Sequence, residues 1–237
     1  MTSSSAADTR LRPFEALGAV RRLLDDPDDT RQVFIVLNAM RGRSGLRLFR
    51  RFKASPVGAA ILSQRRSLLA RLQDGAALAQ LPRGSLGRAY LDFMTAEQLS
   101  ADGLAASSDS PERRATPDEA LVFKDRMRDM HDLTHVLTGY GRDPLGELCL
   151  LAFNFAQTGH VGMAMIVLMG MARFGRGPRA RAARRAVFEA WRHGRAADWL
   201  AGQDWEALLP EPMDALRRRL RIHDPLGYQA MAALART

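Results

Sequence analysis

Residues 116–159 read TPDEALVFKDRMRDMHDLTHVLTGYGRDPLGELCLLAFNFAQTG, and this stretch predicts two consecutive helices. Residues 116–119 open the first helix, with a threonine N-cap, a proline at the first helical position and a glutamate that completes a capping box. Gly139 is expected to end that helix, and Asp143-Pro144 starts a second one that runs to about Gly159. Because the connection is short, the two helices form a helical hairpin at the centre of the predicted fold.

The hairpin carries a group of candidate metal ligands near its turn. His131 and His135 stand four residues apart, so they share one face of the first helix about 40° apart around its axis. Glu147 lies in the first turns of the second helix and faces back toward the first. Asp132 can reach the metal at the edge or orient a histidine, and both roles stay open. This nitrogen and oxygen ligand set suits zinc, but also manganese, iron or cobalt.

The composition indicates a helical protein with one core. The chain has 237 residues, of which 46% are hydrophobic and 7% aromatic. That is enough for one sizeable core and too little for two large domains. Alanine, leucine and arginine dominate and favour helix, and we find no good alternating strand. The prediction is an all-α, single-domain helical bundle with a metal site on a helical hairpin.

Further helices are predicted on both sides of the hairpin. Gly42 and Gly45 are expected to mark a turn, and residues 100–114 a surface loop. The stretch 161–172 is apolar nearly all round, which indicates a helix that is buried or in contact with lipid, but it is too short to span a bilayer. The approximate ranges of the other predicted helices are 13–24, 30–40, 58–66, 68–72, 86–94 and 213–220, together with a basic helix after residue 178.

The net charge of +9, carried almost entirely by arginine, predicts an anionic partner. The partner could be nucleic acid, an acidic membrane face, or a phosphorylated or carboxylated substrate. The alternative is that the preference for arginine reflects a GC-rich genome and has no functional meaning. We disfavour nucleic acid because no aromatic residues interleave with the basic runs and no docking motif is present. The basic run 41–53 is interpreted as a solvated face. The single cysteine, Cys149, lies in an apolar run and is interpreted as a buried thiol.

Two known metal architectures fit the histidine pattern poorly. The zinc peptidase motif places glutamate after its first histidine as general base, whereas this chain has the shorter Asp132. The HD phosphohydrolases share the adjacent His-Asp pair but take a further histidine from an upstream helix. No histidine precedes His131 in this chain, so neither architecture is adopted here.

The complete pattern resembles the hallmark of the coenzyme Q (ubiquinone) biosynthesis protein 4 family. That hallmark is H-D-x-x-H, eleven residues and E, matched here at His131, Asp132, His135 and Glu147. The resemblance extends from about residue 14 to about residue 222, which predicts a disordered N-terminal tail (1–12), a helical domain (13–223) and a C-terminal tail (224–237). The other segments that resemble the family are residues 26–30, 33–34, 84–90, 93–94, 126–128, 136–141, 148–159, 194–195 and 204–206.

The resemblance implies a divalent metal, usually assigned as zinc, held by the four motif residues, which are then the catalytic residues. It implies a role in ubiquinone biosynthesis. The implied reaction is loss of the C1 carboxylate from a polyprenylated 4-hydroxybenzoate intermediate, with hydroxylation of C1, and this makes the protein a carboxy-lyase. The alternative is a scaffold that holds the lipid and organises the ubiquinone enzymes at the membrane without doing chemistry.

The resemblance also suggests where the protein works and with what. We expect a homodimer whose partners are a polyprenylated benzoate or quinone lipid, other ubiquinone biosynthesis proteins and an anionic membrane surface, with no nucleic acid. The long N-terminal extension expected of mitochondrial members is absent, which favours a bacterial cytoplasmic form, peripheral on the inner membrane. Residues 173–185 are then expected to face anionic lipid head groups, and the 161–172 helix either lines a groove for the isoprenoid tail or packs in the core.

Four more side chains are candidates for binding the substrate. Arg126 or Arg128 could pair with the carboxylate, and helix-surface salt bridges are the equally weighted alternative. Tyr90 and Tyr140 could hydrogen-bond the ring, whereas a place at the edge of the core is the plainer interpretation.

Overall fold

The computed structural model describes residues 10–26, 29–101, 103 and 118–235, and within these residues the fold is all-α. The described part contains no strand, only an isolated bridge between Ser85 and Pro212. The α-helices with bounds in these described ranges are α1 (Pro13–Asp25), α2 (Thr30–Ala39), α3 (Gly42–Ala54), α4 (Pro56–Gln64), α5 (Leu68–Gln73), α6 (Gly75–Ala79), α7 (Leu86–Ala96), α8 (Asp118–Thr138), α9 (Pro144–Thr158), α10 (Val161–Ala172), α11 (Pro178–Ala196), α12 (Trp205–Leu208), α13 (Met213–Arg219) and α14 (Leu226–Ala235).

The predicted hairpin of α8 and α9 lies at the centre of the largest apolar cluster. Leu133 and Leu137 of α8 and Leu150 of α9 are fully buried there. Helix α11 packs along α9, and Gly194 makes the close approach possible, since a Cβ at that position would lie 2.3 Å from the Phe153 carbonyl oxygen. The hairpin is therefore held between helices that come later and earlier in the chain.

A second apolar cluster joins α1, α2 and α10 beside the first. Ala16, Val20, Val36 and Ile166 form its buried centre. Leu151 of α9 packs against both clusters, so the two cores are continuous through the hairpin. This continuity agrees with the predicted single-domain bundle.

The helix ends around the hairpin follow the sequence signals. Gly139 adopts a left-handed conformation with φ of +79°, and its N–H donates to the His135 carbonyl oxygen. Asp143 caps α9 by accepting from the backbone N–H groups of residues 145 and 146. Gly159, with φ of +65°, ends the same helix. The predicted cap at residues 116–117 lies outside the described residues.

Several sequence predictions differ from the structure. The turn predicted at Gly45 is wrong, because this residue lies inside α3. Of the two glycines predicted to mark the turn, Gly42 has a positive φ and Gly45 does not. The C-terminal tail contains helix α14, which packs on α11, where the N–H of Gly227 donates to Glu189. Buried Tyr228 of the same helix donates to Asp143 before α9. At the other end, residues 1–9 of the predicted tail are outside the described residues, as is most of the predicted loop 100–114. The N–H of Arg12 bonds the Ala39 carbonyl oxygen, so the chain is already anchored there.

Helix α10 is apolar but only half covered by the fold. Ile166 and Val167 are buried, whereas Val161 and Leu168 expose 45% and 63% of their surface. The uniform apolarity of its sequence therefore hides two different faces. None of the helices in the described ranges combines the length and apolarity that a bilayer span requires.

Candidate metal centre

The turn of the hairpin brings Glu147 against the end of α8. After Gly139 ends α8, the chain reverses over four residues and α9 begins at Pro144. Gly146 lies so close to this turn that a Cβ would stand 2.1 Å from the Gly141 carbonyl oxygen. Only glycine allows this approach, and the next residue, Glu147, is thereby directed at the two histidines.

Three candidate ligand groups lie at the mutual distances that binding to a single metal ion requires. His131 Nε2 lies 3.2 Å from His135 Nε2, and His135 Nε2 lies 3.3 Å from Glu147 Oε1. His131 Nε2 lies 3.8 Å from Glu147 Oε2. Two ligands about 2.0–2.1 Å from a tetrahedral zinc ion are roughly 3.3 Å apart. The spacing of these donors thus matches what a zinc-sized ion requires.

Asp132 also belongs to the group. One ligand atom each from His131, Asp132 and His135 lies within 4.8 Å of the others, and this set could hold a metal ion. The Asp132 carboxylate is largely buried, and its negative charge, together with that of Asp129, adds to burial in raising the pKa of Tyr90. The structure therefore brings the predicted fourth residue to the site, and both roles predicted for it stay open.

The ring of His135 is fixed by its backbone partner. Its Nδ1 lies 2.9 Å from the Tyr140 carbonyl oxygen, an acceptor only, so this nitrogen carries the proton. In the neutral ring the Nε2 lone pair then points at His131 and Glu147, which is the tautomer that metal binding needs. Phe93 stacks on the imidazole ring at a centroid distance of 6.1 Å.

The ionisable groups of the site shift one another's pKa values. Burial opposes the ionisation of Glu147, but the hydrogen bond and charge of His135 outweigh it, so the pKa of Glu147 is lowered. Burial likewise opposes protonation of His135, and Glu147 reverses this effect and raises its pKa. The pKa of His131 is lowered by burial and by the neighbouring His135. A divalent cation would stabilise the ionised carboxylate and the neutral rings together.

One side of the group is open to solvent and bordered by a cation. The side chain of His135 is fully buried, whereas those of His131 and Glu147 are 28% and 34% exposed. On this open side the Nε of Arg142 lies 4.0 Å from Glu147, and its Nη1 lies 3.9 Å from Glu97. Both contacts are long for ion pairs, so the guanidinium is weakly held at the mouth of the site.

The two arginines predicted to bind a substrate carboxylate are already engaged. Arg126 is buried and donates from both terminal nitrogens to Glu206, at 2.8 and 2.6 Å. Arg128 donates to Asp129 and lies 3.3 Å from Asp125. These pairs favour the salt-bridge alternative, and a substrate role for Arg126 or Arg128 stays a prediction.

The two predicted tyrosines are both buried at the edge of the core. The hydroxyl of Tyr140 points away from the metal ligands, toward His193 at 3.4 Å, and its ring packs on Tyr228. Its contribution to the site is the backbone carbonyl that holds His135. Tyr90 lies nearer, within the field of Asp132. Binding of a substrate ring by either side chain stays a prediction.

Three groups at the site were not predicted from the sequence: Arg142, Phe93 and the carbonyl group of Tyr140. Arg142 had a signal, because it is the only cation in the turn between Gly139 and Pro144. Phe93 belongs to a segment that resembles the family, but its stacking on His135 depends on the packing of α7 against α8. A backbone acceptor has no signature in side-chain spacing.

Comparisons with known proteins show the family of this chain. Residues 16–226 match the family model described as "Coenzyme Q (ubiquinone) biosynthesis protein Coq4". The mitochondrial ubiquinone biosynthesis protein COQ4 homolog of Bos taurus is 31% identical over 211 residues, covering 89% of this chain and 77% of its own. The Homo sapiens homolog is 30% identical, covering 83% and 73%. A crystal structure from Nostoc punctiforme, described as a candidate ubiquinone biosynthesis protein, superimposes with a TM-score of 0.65 at 23% identity over 90% of this chain and 100% of that one, which supports the fold alone.

Proposed function

Since the chain belongs to the coenzyme Q (ubiquinone) biosynthesis protein Coq4 family, we propose a specific reaction for it within ubiquinone biosynthesis. In this proposal it is the metal-dependent enzyme that removes the C1 carboxylate of a polyprenylated 4-hydroxybenzoate intermediate. The observation that carries this proposal is the spacing of His131, His135 and Glu147, at 3.2 and 3.3 Å around one point, with an open side toward solvent. A structural metal site would be closed on all sides, whereas a catalytic one keeps a position for substrate.

The residues present fit a zinc ion. Two imidazoles and one or two carboxylates, without thiolate, are a ligand set that zinc accepts, and manganese, iron and cobalt remain alternatives. His131, His135, Glu147 and Asp132 would hold the ion. When bound, the metal supplies Lewis acidity that polarises a carboxylate or phenolate oxygen.

Arg142 is well placed for the carboxylate of the substrate. Its guanidinium borders the open side, and among the described residues its ion-pair contacts are the long ones to Glu97 and Glu147. A fork of N–H donors pairs with a carboxylate in a charge-assisted hydrogen bond and fixes the orientation of the ring. Phe93 and Tyr90 provide an apolar wall and a phenolic hydroxyl on the α7 side.

The overall conversion must balance in atoms and electrons. The bond between C1 and the carboxyl carbon breaks, and the carboxyl group leaves as CO2. One oxygen atom from a dioxygen-derived oxygen-atom donor joins C1 as a hydroxyl, and this donor is reduced by two electrons. The role of the chain's own residues is to bind the carboxylate at Arg142 and to hold the His135 ring so that its Nε2 faces His131 and Glu147.

The proposal also includes the surfaces that contact the isoprenoid tail, a second copy of the chain and the membrane. The exposed row of Val161 and Leu168 on α10 offers apolar surface for an isoprenoid tail or for the second copy of a homodimer. The formal charge of +9 suits an anionic membrane surface, consistent with a protein that is cytoplasmic and peripheral on the inner membrane of a bacterium. Other ubiquinone biosynthesis proteins are the partners that supply and consume its lipid.

The test is a mass-spectrometric profile of prenylated quinone lipids. A strain that lacks this protein and any redundant decarboxylase would carry the wild type, Glu147→Gln, or the control Asp92→Asn, which alters an exposed carboxylate on α7. We expect the wild type and the control to restore ubiquinone, and Glu147→Gln to accumulate a C1-carboxylated precursor. A normal quinone profile with soluble, folded Glu147→Gln would instead support the scaffold alternative.

A further inference from the structure

The outer face of α11 is a row of exposed arginines with an aromatic residue in its middle. Five residues follow one another at intervals of four and three and therefore share one stripe of the helix: Arg181, Arg185, Phe188, Arg192 and Arg195. All five are exposed. Within the described part of the chain none of the four arginines forms an ion pair, although ion pairs engage many arginines elsewhere in the fold. The stripe is therefore an uncompensated cationic surface.

The stripe runs into two grooves between α11, α13 and the segment before α14. The first groove, of about 570 Å3, is lined by Arg195, Arg217, Arg218 and Arg221. The second, of about 450 Å3, is lined by Glu189, Arg192, His193, Asp224 and Leu226, and His223 borders both. The arginine groove thus continues the stripe at its C-terminal end.

The carboxylates beside these grooves do not balance the arginines. Asp224 pairs with Arg217, and Asp198 pairs with Arg221. Glu189 accepts from the N–H of Gly227, so three carboxylates face the five arginines 192, 195, 217, 218 and 221. No ion pair engages Arg195 or Arg218 in the ranges that the structure describes. Like charges brought together repel each other unless an anion lies between them, so this surface is complementary to an array of negative groups.

Two apolar side chains project from the same surface. Phe188 exposes 59% and Leu226 exposes 66% of its area. Phe188 stacks on Trp191 at a centroid distance of 5.4 Å, and Arg195 lies over the Trp191 ring. A soluble phosphate compound gives these apolar groups nothing to enter, and a nucleic acid backbone offers charge without an apolar layer. The boundary between lipid head groups and acyl chains offers both.

We propose that the stripe of α11 and the adjoining arginine groove form a docking surface for an anionic phospholipid membrane. The arginines bind lipid phosphates, and Phe188 and Leu226 insert below them. The inference rests on the proposed membrane partner and locates its surface. It extends this surface from the predicted residues 173–185, which contain Arg181 and Arg185, toward the C-terminal half of α11. Within the predicted stretch, Arg173 lies 3.4 Å from Asp25, and Arg184 donates to the carbonyl oxygens of Met171 and Gly175.

Vesicle co-sedimentation of the full chain tests the proposal. The probes are phosphatidylglycerol–phosphatidylcholine vesicles and vesicles of phosphatidylcholine alone, at one stated salt concentration. Neutralising two arginines of the stripe in Arg185→Gln/Arg192→Gln should lower the partition coefficient to anionic vesicles by about 30-fold. The matched control Arg43→Gln/Arg47→Gln removes two exposed charges from α3 and should lower it less than about threefold.

Phe188→Ser separates insertion from charge. We expect weaker binding to anionic vesicles with an unchanged slope against salt, because the arginines remain. Equal losses in the stripe variant and the α3 control would overturn the proposal, as they would show a response to net charge alone. Retention on duplex DNA or saturation by glycerol phosphate, with no vesicle binding, would overturn it in favour of a nucleic acid or a soluble phosphate. Zinc content is measured in parallel, so failure of the metal site remains distinguishable from failure of docking.

Discussion

The pairing of Arg126 with Glu206 makes a quantitative prediction, because both groups are largely removed from water. The side chains are 1% and 12% exposed and form two hydrogen bonds of 2.8 and 2.6 Å. Glu206→Gln keeps the shape but leaves the guanidinium charge of Arg126 without its counter-ion. Removing one partner of a buried pair costs about 3–5 kcal/mol of unfolding free energy. For 237 residues, with an unfolding entropy of about 2.1 cal/mol/K per residue, the melting temperature should fall by about 6–10 °C.

Differential scanning calorimetry of the purified variant measures this fall. The matched control is Glu119→Gln, whose carboxylate is half exposed and pairs with Lys53 at the surface, where an ion pair contributes about 0–1 kcal/mol. Zinc content should remain unchanged in both variants, because neither glutamate contacts the metal ligands. A melting temperature within about 2 °C of the wild type, combined with loss of substrate affinity, would refute the structural role and return Arg126 to the substrate site.

Three further predictions concern the candidate metal centre. Arg142→Met should leave zinc content unchanged and weaken binding of 4-hydroxybenzoate, measured by calorimetry, by about tenfold or more, since one charge-assisted hydrogen bond is lost; Arg88→Met on α7 is the control, and equal affinities in both would contradict the assignment. Lowering the pH should weaken zinc binding measured with a competing chelator, because protons displace zinc from the histidines; as Glu147 raises the pKa of His135, the loss should begin above the ordinary value of 6.5, and a pH-independent affinity would contradict histidine ligation. Gly146→Ala should lower both stability, by about 1–3 kcal/mol, and zinc affinity, because a Cβ would collide with the Gly141 carbonyl oxygen and displace α9; wild-type zinc binding in that variant would show that the turn tolerates the change.

The local features of the hairpin could be predicted from the sequence because they depend on neighbouring residues. The left-handed end at Gly139 follows from its lack of a Cβ, and the cap at Asp143 follows from its carboxylate, so both depend on local sequence. The pattern His131, His135 and Glu147 likewise follows from helix periodicity and a short connection, so the three groups converge as predicted.

The partners of the arginines could not be predicted, since they come from distant parts of the chain. Glu206 lies 80 residues beyond Arg126, and only tertiary packing decides that this carboxylate neutralises it. Helix α14 was missed for a related reason: its Ala-rich sequence carries a weak signal, and the burial of Tyr228 against the α9 side supplies its stability. The sequence predicts a lipid-facing surface over residues 173–185, but it does not show that Arg184 within this stretch donates to the Gly175 carbonyl oxygen.

The most direct test of the central claim follows the carboxyl carbon itself. Membranes from the deletion strain that contain the accumulated precursor, labelled with 13C at its C1 carboxyl group, would be incubated with purified protein under air. We predict that 13CO2 is released by the zinc-loaded wild type, and that neither Glu147→Gln nor the wild type stripped of metal by a chelator releases it. Equal 13CO2 release from all three preparations would show that the ligand group on the hairpin does not carry the reaction, and would contradict the account.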